Sequence, residues 1–298
     1  MAKGVARQGK LFDGAAGAAK VEAPALPAEV PAEEPVAAAP GPKPVPSPSR
    51  RASAETLAKG QREISVSEFF VKNRHLLGFD NKQKSLLTAV RECVDNSLDA
   101  CEEAGILPEL RIEIRELAEE RYRIAVEDNG PGIVRAQVPK VFGKLLYGSK
   151  FHRLKQQRGQ QGIGVSAAGM YGQLTTGKPV TIISRTSSKA DPHLFEVTVD
   201  TRKNQPLVLK DEKTEWEKPH GTRVEIELEA SYKKGRRSVD DYVEQTALSN
   251  PHCTILFTPP GEETIAYTRA IHELPEEAKE IKPHPYGCLL YTSDAADE

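Results

Sequence analysis

Apolar and polar positions along the chain follow two rhythms. Around the stretch AVRECVDNSLDACEEAG the rhythm is helical. Leu86, Leu87, Val90, Val94, Leu98 and Cys101 share one side, while Glu92, Asp95, Asn96 and Asp99 fall within about a third of the circumference on the other. This spacing predicts an amphipathic helix, ended by Gly105 and Pro108. The second rhythm has a period of two. Leu110, Ile112 and Ile114, then Tyr122, Ile124 and Val126, predict two strands with a tight connection between them. PVTIISRT, LFEVTVDT and TRVEIELEAS read as further strands; in the last, Val224, Ile226 and Leu228 face inward and Arg223, Glu225, Glu227 and Glu229 outward. The order of elements predicts an α/β (α+β) two-layer sandwich, with helices on one face of a mixed, largely antiparallel sheet. No repeat of 20 to 50 residues is visible.

The first 62 residues carry neither rhythm. Nine of the 22 prolines fall within the first 50 positions, where almost no aromatic or branched aliphatic residue could seed a core. This segment is expected to be a disordered Ala/Pro-rich tail. Within it, Gln8, Leu11 and Phe12 resemble the short peptides with which replication proteins dock on the sliding clamp. Folded texture begins near Ile64. At the other end, CLLYTSDAADE (Cys288–Glu298) resembles the translation of a sequencing adapter and is expected to be non-native, with the natural chain continuing past Gly287.

Composition narrows the function classes. A formal net charge of -2 over 298 residues leaves no overall basic footprint for nucleic acid. No apolar run approaches the ~18 residues of a membrane span, so no membrane partner is expected, and the chain reads as soluble and intracellular. Cys93, Cys101, Cys253 and Cys288 form no CxxC pair and read as buried free thiols.

The polar helix face is unusual because it repels itself. Glu92 and Asp95 (i, i+3) and Asp95 and Asp99 (i, i+4) place like charges side by side, each pair costing a few tenths of a kcal/mol. A solvated face would tolerate this, and a divalent cation would use it. Asn96 could supply a neutral oxygen to such an ion beside a carboxylate base. VEDNGPGI places Asp128 at a strand end before Gly130 and Gly132. Glycine permits close approach of a flat ligand, and a buried carboxylate can accept from the exocyclic amine of adenine, where guanine offers a carbonyl. A plain Asn-Gly turn would carry the same letters.

RGQQGIGVSAAGMYGQL leads three glycines, Gly159, Gly162 and Gly164, into a helical segment, an arrangement that presents N–H groups to phosphate; a surface loop is the alternative. Ser149, Lys150 and Arg158 precede it and could reach phosphate oxygens. GQLTTGKP imitates a P-loop, but Pro179 replaces the hydroxyl residue that magnesium needs, so the stretch is expected to end a helix. The dinucleotide spacing GxGxxG is absent. Thr222, just before a strand, could bond a base through water.

In order, Glu92-x-x-x-Asn96, Asp128-x-Gly130-x-Gly132, the Gly-rich stretch and Gly221-Thr222 resemble the GHKL ATPase family shared by gyrase, heat-shock chaperones, histidine kinases and mismatch-repair proteins. Within it, FFVKNRHLLGFDN, ECVDNSLDACEEAGILPE, EDNGPGI, LLYGSKFHRLKQQRGQQGIGVSAAGMYGQLTTGKP and NPHCTILF resemble the B subunits of type IIB topoisomerases, the topoisomerase VI family, from about Ser67 to Gly287. The resemblance implies a Bergerat-type ATP-binding domain over 63–250 and the start of a following domain over 251–287. It implies ATP and Mg²⁺ as cofactors, Glu92 activating water, and Asn96 on the metal with the phosphates. Asp128 would read adenine, Gly132 would let the base approach, and Thr222 would assist. Ser149, Lys150 and the run Arg158, Gly159, Gln160, Gln161, Gly162, Ile163, Gly164 and Val165 would wrap the phosphates. The partners it implies are the topoisomerase VI A subunit, joined in an A2B2 heterotetramer, a second B chain in a homodimer formed on ATP binding, and double-stranded DNA, in a cytoplasmic, nucleoid-associated location. The family's γ-phosphate lysine lies in a later transducer domain, so this stretch is expected to bind ATP but hydrolyse it poorly. A histidine kinase or chaperone-like ATPase, or a non-catalytic nucleotide-dependent dimerisation module, is the alternative. His75 lacks the helical hairpin a kinase would need around it.

Overall fold

In the computed structural model, residues 64–147 and 163–276 are described. The tail with its Gln8, Leu11 and Phe12 pattern, and the adapter-like stretch, lie outside these residues. Six helices and eight strands follow one another among the described residues: α1 (Val66–Lys72), α2 (Arg74–Leu77), α3 (Lys82–Glu103), β1 (Glu109–Ala118), β2 (Arg121–Glu127), α4 (Val138–Gly143), α5 (Gly164–Thr176), β3 (Val180–Arg185), β4 (His193–Asp200), β5 (Gln205–Lys213), β6 (Gly221–Glu229), α6 (Val239–Ser249), β7 (Thr254–Thr258) and β8 (Ile265–Tyr267).

The amphipathic helix expected around Ala89 is α3. Asn81 caps it by accepting from the Lys84 amide at 2.8 Å. It ends where Gly105 turns left-handed (φ 69°). The Gly105 and Ile106 amides then donate back to the carbonyls of Glu102 and Cys101, at 3.1 and 2.9 Å. Helix α5 ends as the TTGKP sequence predicts, with Gly177 left-handed.

The strands form one sheet in the order β5-β4-β3-β6-β2-β1-β7-β8, antiparallel everywhere except between β1 and β7. Leu110, Ile112, Ile114, Tyr122, Ile124, Val126, Val224, Ile226 and Leu228 are all buried, as their alternation requires. They meet Val90, Val94, Leu98, Ala168 and Met170 of α3 and α5 in a single core. On the other face Arg223 bridges Glu113, Glu127 and Glu225 at 3.5, 3.3 and 2.9 Å. One face is apolar and covered by helices and the other is ion-paired, which is the two-layer arrangement.

The sheet does not stop at residue 250, where the sequence suggested a new domain. β7 pairs with β1 from Glu109↔Thr254 to Glu113↔Thr258, so these residues continue the same sheet. Cys93, Cys101 and Cys253 are buried free thiols. Cys288 lies outside the described residues.

Candidate active site

The loop after β2 and the start of β6 meet over Asp128, which is only 5% exposed. Its Oδ1 accepts from the Gly130 amide at 2.8 Å and the Thr222 amide at 3.0 Å, and its Oδ2 accepts from Ser97 Oγ at 3.0 Å. A carboxylate oxygen has two accepting positions, so Oδ1 is filled and Oδ2 retains one. Burial pushes the Asp128 carboxyl above the usual carboxylate range, while the Gly130, Ser97 and Thr222 donors, and Lys218 farther off, pull it back. Glu127, next to it, is also desolvated, yet Lys218 and Arg223 hold it low.

Ser97 places α3 across this pocket. Glu92 lies five residues earlier, roughly 7.5 Å along the axis, and its carboxylate abuts the first residue of α5. A methyl group at Gly164 would coincide with Glu92 Oε2. Glycine is therefore required there by the glutamate. Burial raises the Glu92 carboxyl; Arg91, whose Nη2 is 3.9 Å away, lowers it, and Asp95 raises it again. Asn96, four residues after Glu92, shares its side of the helix and is half-buried.

The polar stripe read from the sequence is not one open face. Asp99 is buried, at 6% exposure. Asp95 is turned toward α6 and accepts from Tyr242 Oη at 3.1 Å. Of the four polar residues, Glu92 and Asn96 remain for the pocket.

Gly132 is left-handed (φ 71°), and a side chain there would strike the Arg185 carbonyl, so the end of β3 already explains this glycine. Thr222 lies beneath Asp128 with its hydroxyl 3.5 Å from Ser184 Oγ. Ile163 precedes α5, and Val165 is buried in the core. Ser149, Lys150, Arg158, Gly159, Gln160, Gln161 and Gly162 lie outside the described residues.

Sequence reasoning missed Ser97 and Ser184. Ser184 Oγ accepts from the Ile133 amide at 2.8 Å and so holds the glycine loop against β3. Neither serine differs by residue type from any solvated one. Ser97 could have been noticed as the neighbour of Asn96 that a helix turns toward the sheet.

Asp128 at the end of the sheet, with one accepting position left free, and Glu92 of α3 against the N-terminus of α5 suit a nucleotide-binding ATPase domain. The chain belongs to the family described as Histidine kinase-, DNA gyrase B-, and HSP90-like ATPase, which residues 81–232 match. It is 54% identical over 240 residues to the B subunit of Type 2 DNA topoisomerase 6 from Methanococcoides burtonii, covering 80% of this chain and 39% of that protein. The proteins of the same name from Natronomonas pharaonis and Archaeoglobus fulgidus are 52% and 49% identical over 248 and 232 residues. They cover 82% and 78% of this chain and 31% and 38% of their own lengths. The chain thus spans less than two fifths of these relatives. Among the described residues, no helix is long and apolar enough to cross a membrane.

Proposed function

We propose that this chain is the ATP-binding and hydrolysing part of the B subunit of a type IIB DNA topoisomerase, in which ATP-gated pairing of two such subunits drives passage of one duplex through another. The observation that carries the reading is the filled Oδ1 and half-filled Oδ2 of Asp128, a buried acceptor of the kind the 6-amino group of adenine satisfies. A 6-oxo purine would leave that acceptor unpaired, at a cost of about 1–3 kcal/mol.

The residues present fit a magnesium ion. Asn96 offers a neutral oxygen donor one helical turn from Glu92, and one or two protein oxygens are the usual share of a site completed by waters and phosphates. Bound there, the ion would neutralise phosphate charge and orient the γ-phosphate. Glu92 acts as general base, accepting the proton of the attacking water. Burial raises its pKa, and the α5 N-terminus against it fixes its direction. The run from Arg158 to Val165, with Ser149 and Lys150, wraps the phosphates, and Thr222 supports the base through water.

The partners in this reading are the A subunit of an A2B2 assembly, a second copy of the B chain, and double-stranded DNA, at the nucleoid. Nucleotide favours the closed pair through its greater affinity for that state. A domain start near residue 63, and residues 251–287, whose β7 still pairs with β1, leading into further domains, belong to the same reading. In the intact topoisomerase, with both kinds of subunit present, Glu92→Ala should retain ATP binding and lose ATP-driven strand passage. Wild-type turnover in that variant would remove Glu92 from the base role. The chain by itself should take up a non-hydrolysable ATP analogue with magnesium and turn ATP over slowly.

A further inference from the structure

Gly130, whose amide holds Asp128 Oδ1, lies in a loop outside any helix or strand and precedes Pro131, which has no N–H to anchor it. The Gly130 carbonyl is the remaining handle, and it is gripped from across the pocket: His220 Nδ1 lies 2.9 Å from Gly130 O. A carbonyl only accepts, so the imidazole donates and carries its proton on Nδ1.

The two residues after His220 continue the grip on Asp128. Gly221 (φ 135°) leaves no room for a side chain beside the Asp128 carbonyl, and the Thr222 amide is the second donor to Oδ1. The loop carrying His220 is itself tied down. Arg185 Nη1 donates to the carbonyls of Trp216 (3.4 Å) and Lys218 (3.1 Å), while its Nε donates to Ala190 (2.8 Å). Lys218 Nζ reaches Glu127 Oε1 at 2.9 Å. Arg185 thus fixes the loop, the loop fixes His220, and His220 fixes the peptide that aims Asp128.

We propose that His220 is a positioning residue for nucleotide selection, holding the Gly130 carbonyl so that the free accepting position of Asp128 faces the 6-position of a bound purine. The proposal rests on the adenine reading above. His220 acts through the loop, and Glu92, at the other end of the pocket, is untouched by it. At its 6-position a 6-oxo nucleotide offers Asp128 an acceptor and no donor, so loss of His220 should fall on 6-amino nucleotides.

The test measures binding of non-hydrolysable ATP and ITP analogues to the full chain by calorimetry. His220→Ala should weaken the ATP analogue about fivefold to tenfold, the effect of one net hydrogen bond, and leave the ITP analogue unchanged. His220→Asn, whose amide N–H falls where Nδ1 does, should restore the ATP preference, and His220→Gln, whose amide falls where Nε2 does, should not. These two variants decide the matter should His220→Ala fail to fold. An equal loss for both analogues, an undiminished ATP affinity, or equal behaviour of the Asn and Gln variants overturns the proposal. Asp128→Asn is the control. If it leaves the ATP preference intact, the adenine reading itself fails; if it abolishes the preference and His220→Ala does not, only the role of His220 falls.

Discussion

Asp128→Asn separates recognition from folding because the surroundings of Asp128 determine which of its two oxygens can be exchanged. The asparagine oxygen keeps both backbone donors, Gly130 at 2.8 Å and Thr222 at 3.0 Å, since each can only donate. The amide nitrogen then takes the place of Oδ2 against Ser97 Oγ, and the serine hydroxyl, now accepting, rotates to suit. The fold should tolerate the change. The ligand should not, because the 6-amino group of adenine now meets a donor. Losing a hydrogen bond to an ionised acceptor costs about 1.5–3 kcal/mol, or roughly 10- to 100-fold in ATP affinity. Inosine presents an oxygen at the same position and should bind as well as before or better. Trp216, the only tryptophan of the chain, lies in the loop tied to this pocket and offers a fluorescence readout beside calorimetry. Equal losses for ATP and ITP analogues, or no loss for either, would refute the reasoning.

Gly164→Ala should place a methyl group in the Glu92 carboxylate and displace it; a shift of about 1 Å can cost ~10²-fold in turnover, whereas analogue affinity should fall far less, and comparable losses in both would contradict this. Gly172→Ala should destabilise the fold by about 1–3 kcal/mol in denaturant melts, because the added carbon would approach the Glu227 carbonyl at 2.7 Å and outweigh the gain in helix propensity. The pH dependence of stability carries a sign. With its folded pKa raised above 3.8, Asp128 leaves the folded chain holding more protons than the unfolded one from about pH 4 upward, so stability falls across that window as pH rises. Asp128→Asn should therefore gain on the wild type as pH rises above about 4, and a constant difference would exclude the linkage. Burial pushes the Cys93 thiol up to about 12 and raises Cys101 as well, so native protein at pH 8 should resist alkylation at both, and peptide mapping showing rapid labelling would contradict that burial.

Much of the fold was legible because burial imposes a period. Ile112, Ile114, Ile124 and Val126 alternate in the sequence since the sheet has one covered face, and α3 shows its apolar side since it lies on that face. The parallel pairing of β7 with β1 was not legible. TILFT carries its own alternation, but nothing local to it specifies a partner about 145 residues earlier, and the sheet therefore ran past the expected boundary.

The candidate site was legible where a residue type was unusual for its position, and illegible where ordinary residues do the holding. Glu92, Asn96 and Asp128 stood out because carboxylates and a carboxamide beside apolar positions require a reason. Helical spacing alone did not set Asp95 and Asp99 apart from them. Helical spacing reports direction around the axis but not which neighbour covers it, and α6 brings Tyr242 over the side that Asp95 occupies. Ser97 and His220 act through single hydrogen bonds to Asp128 or to backbone, and Ser184 through a few to its neighbours, which any surface serine or histidine could form. What makes them specific is the shortage of other donors around a glycine loop interrupted by Pro131. That shortage exists only once β3 and β6 have brought three distant segments together, so the selectivity proposed for the pocket rests on the assembled sheet more than on any motif within it.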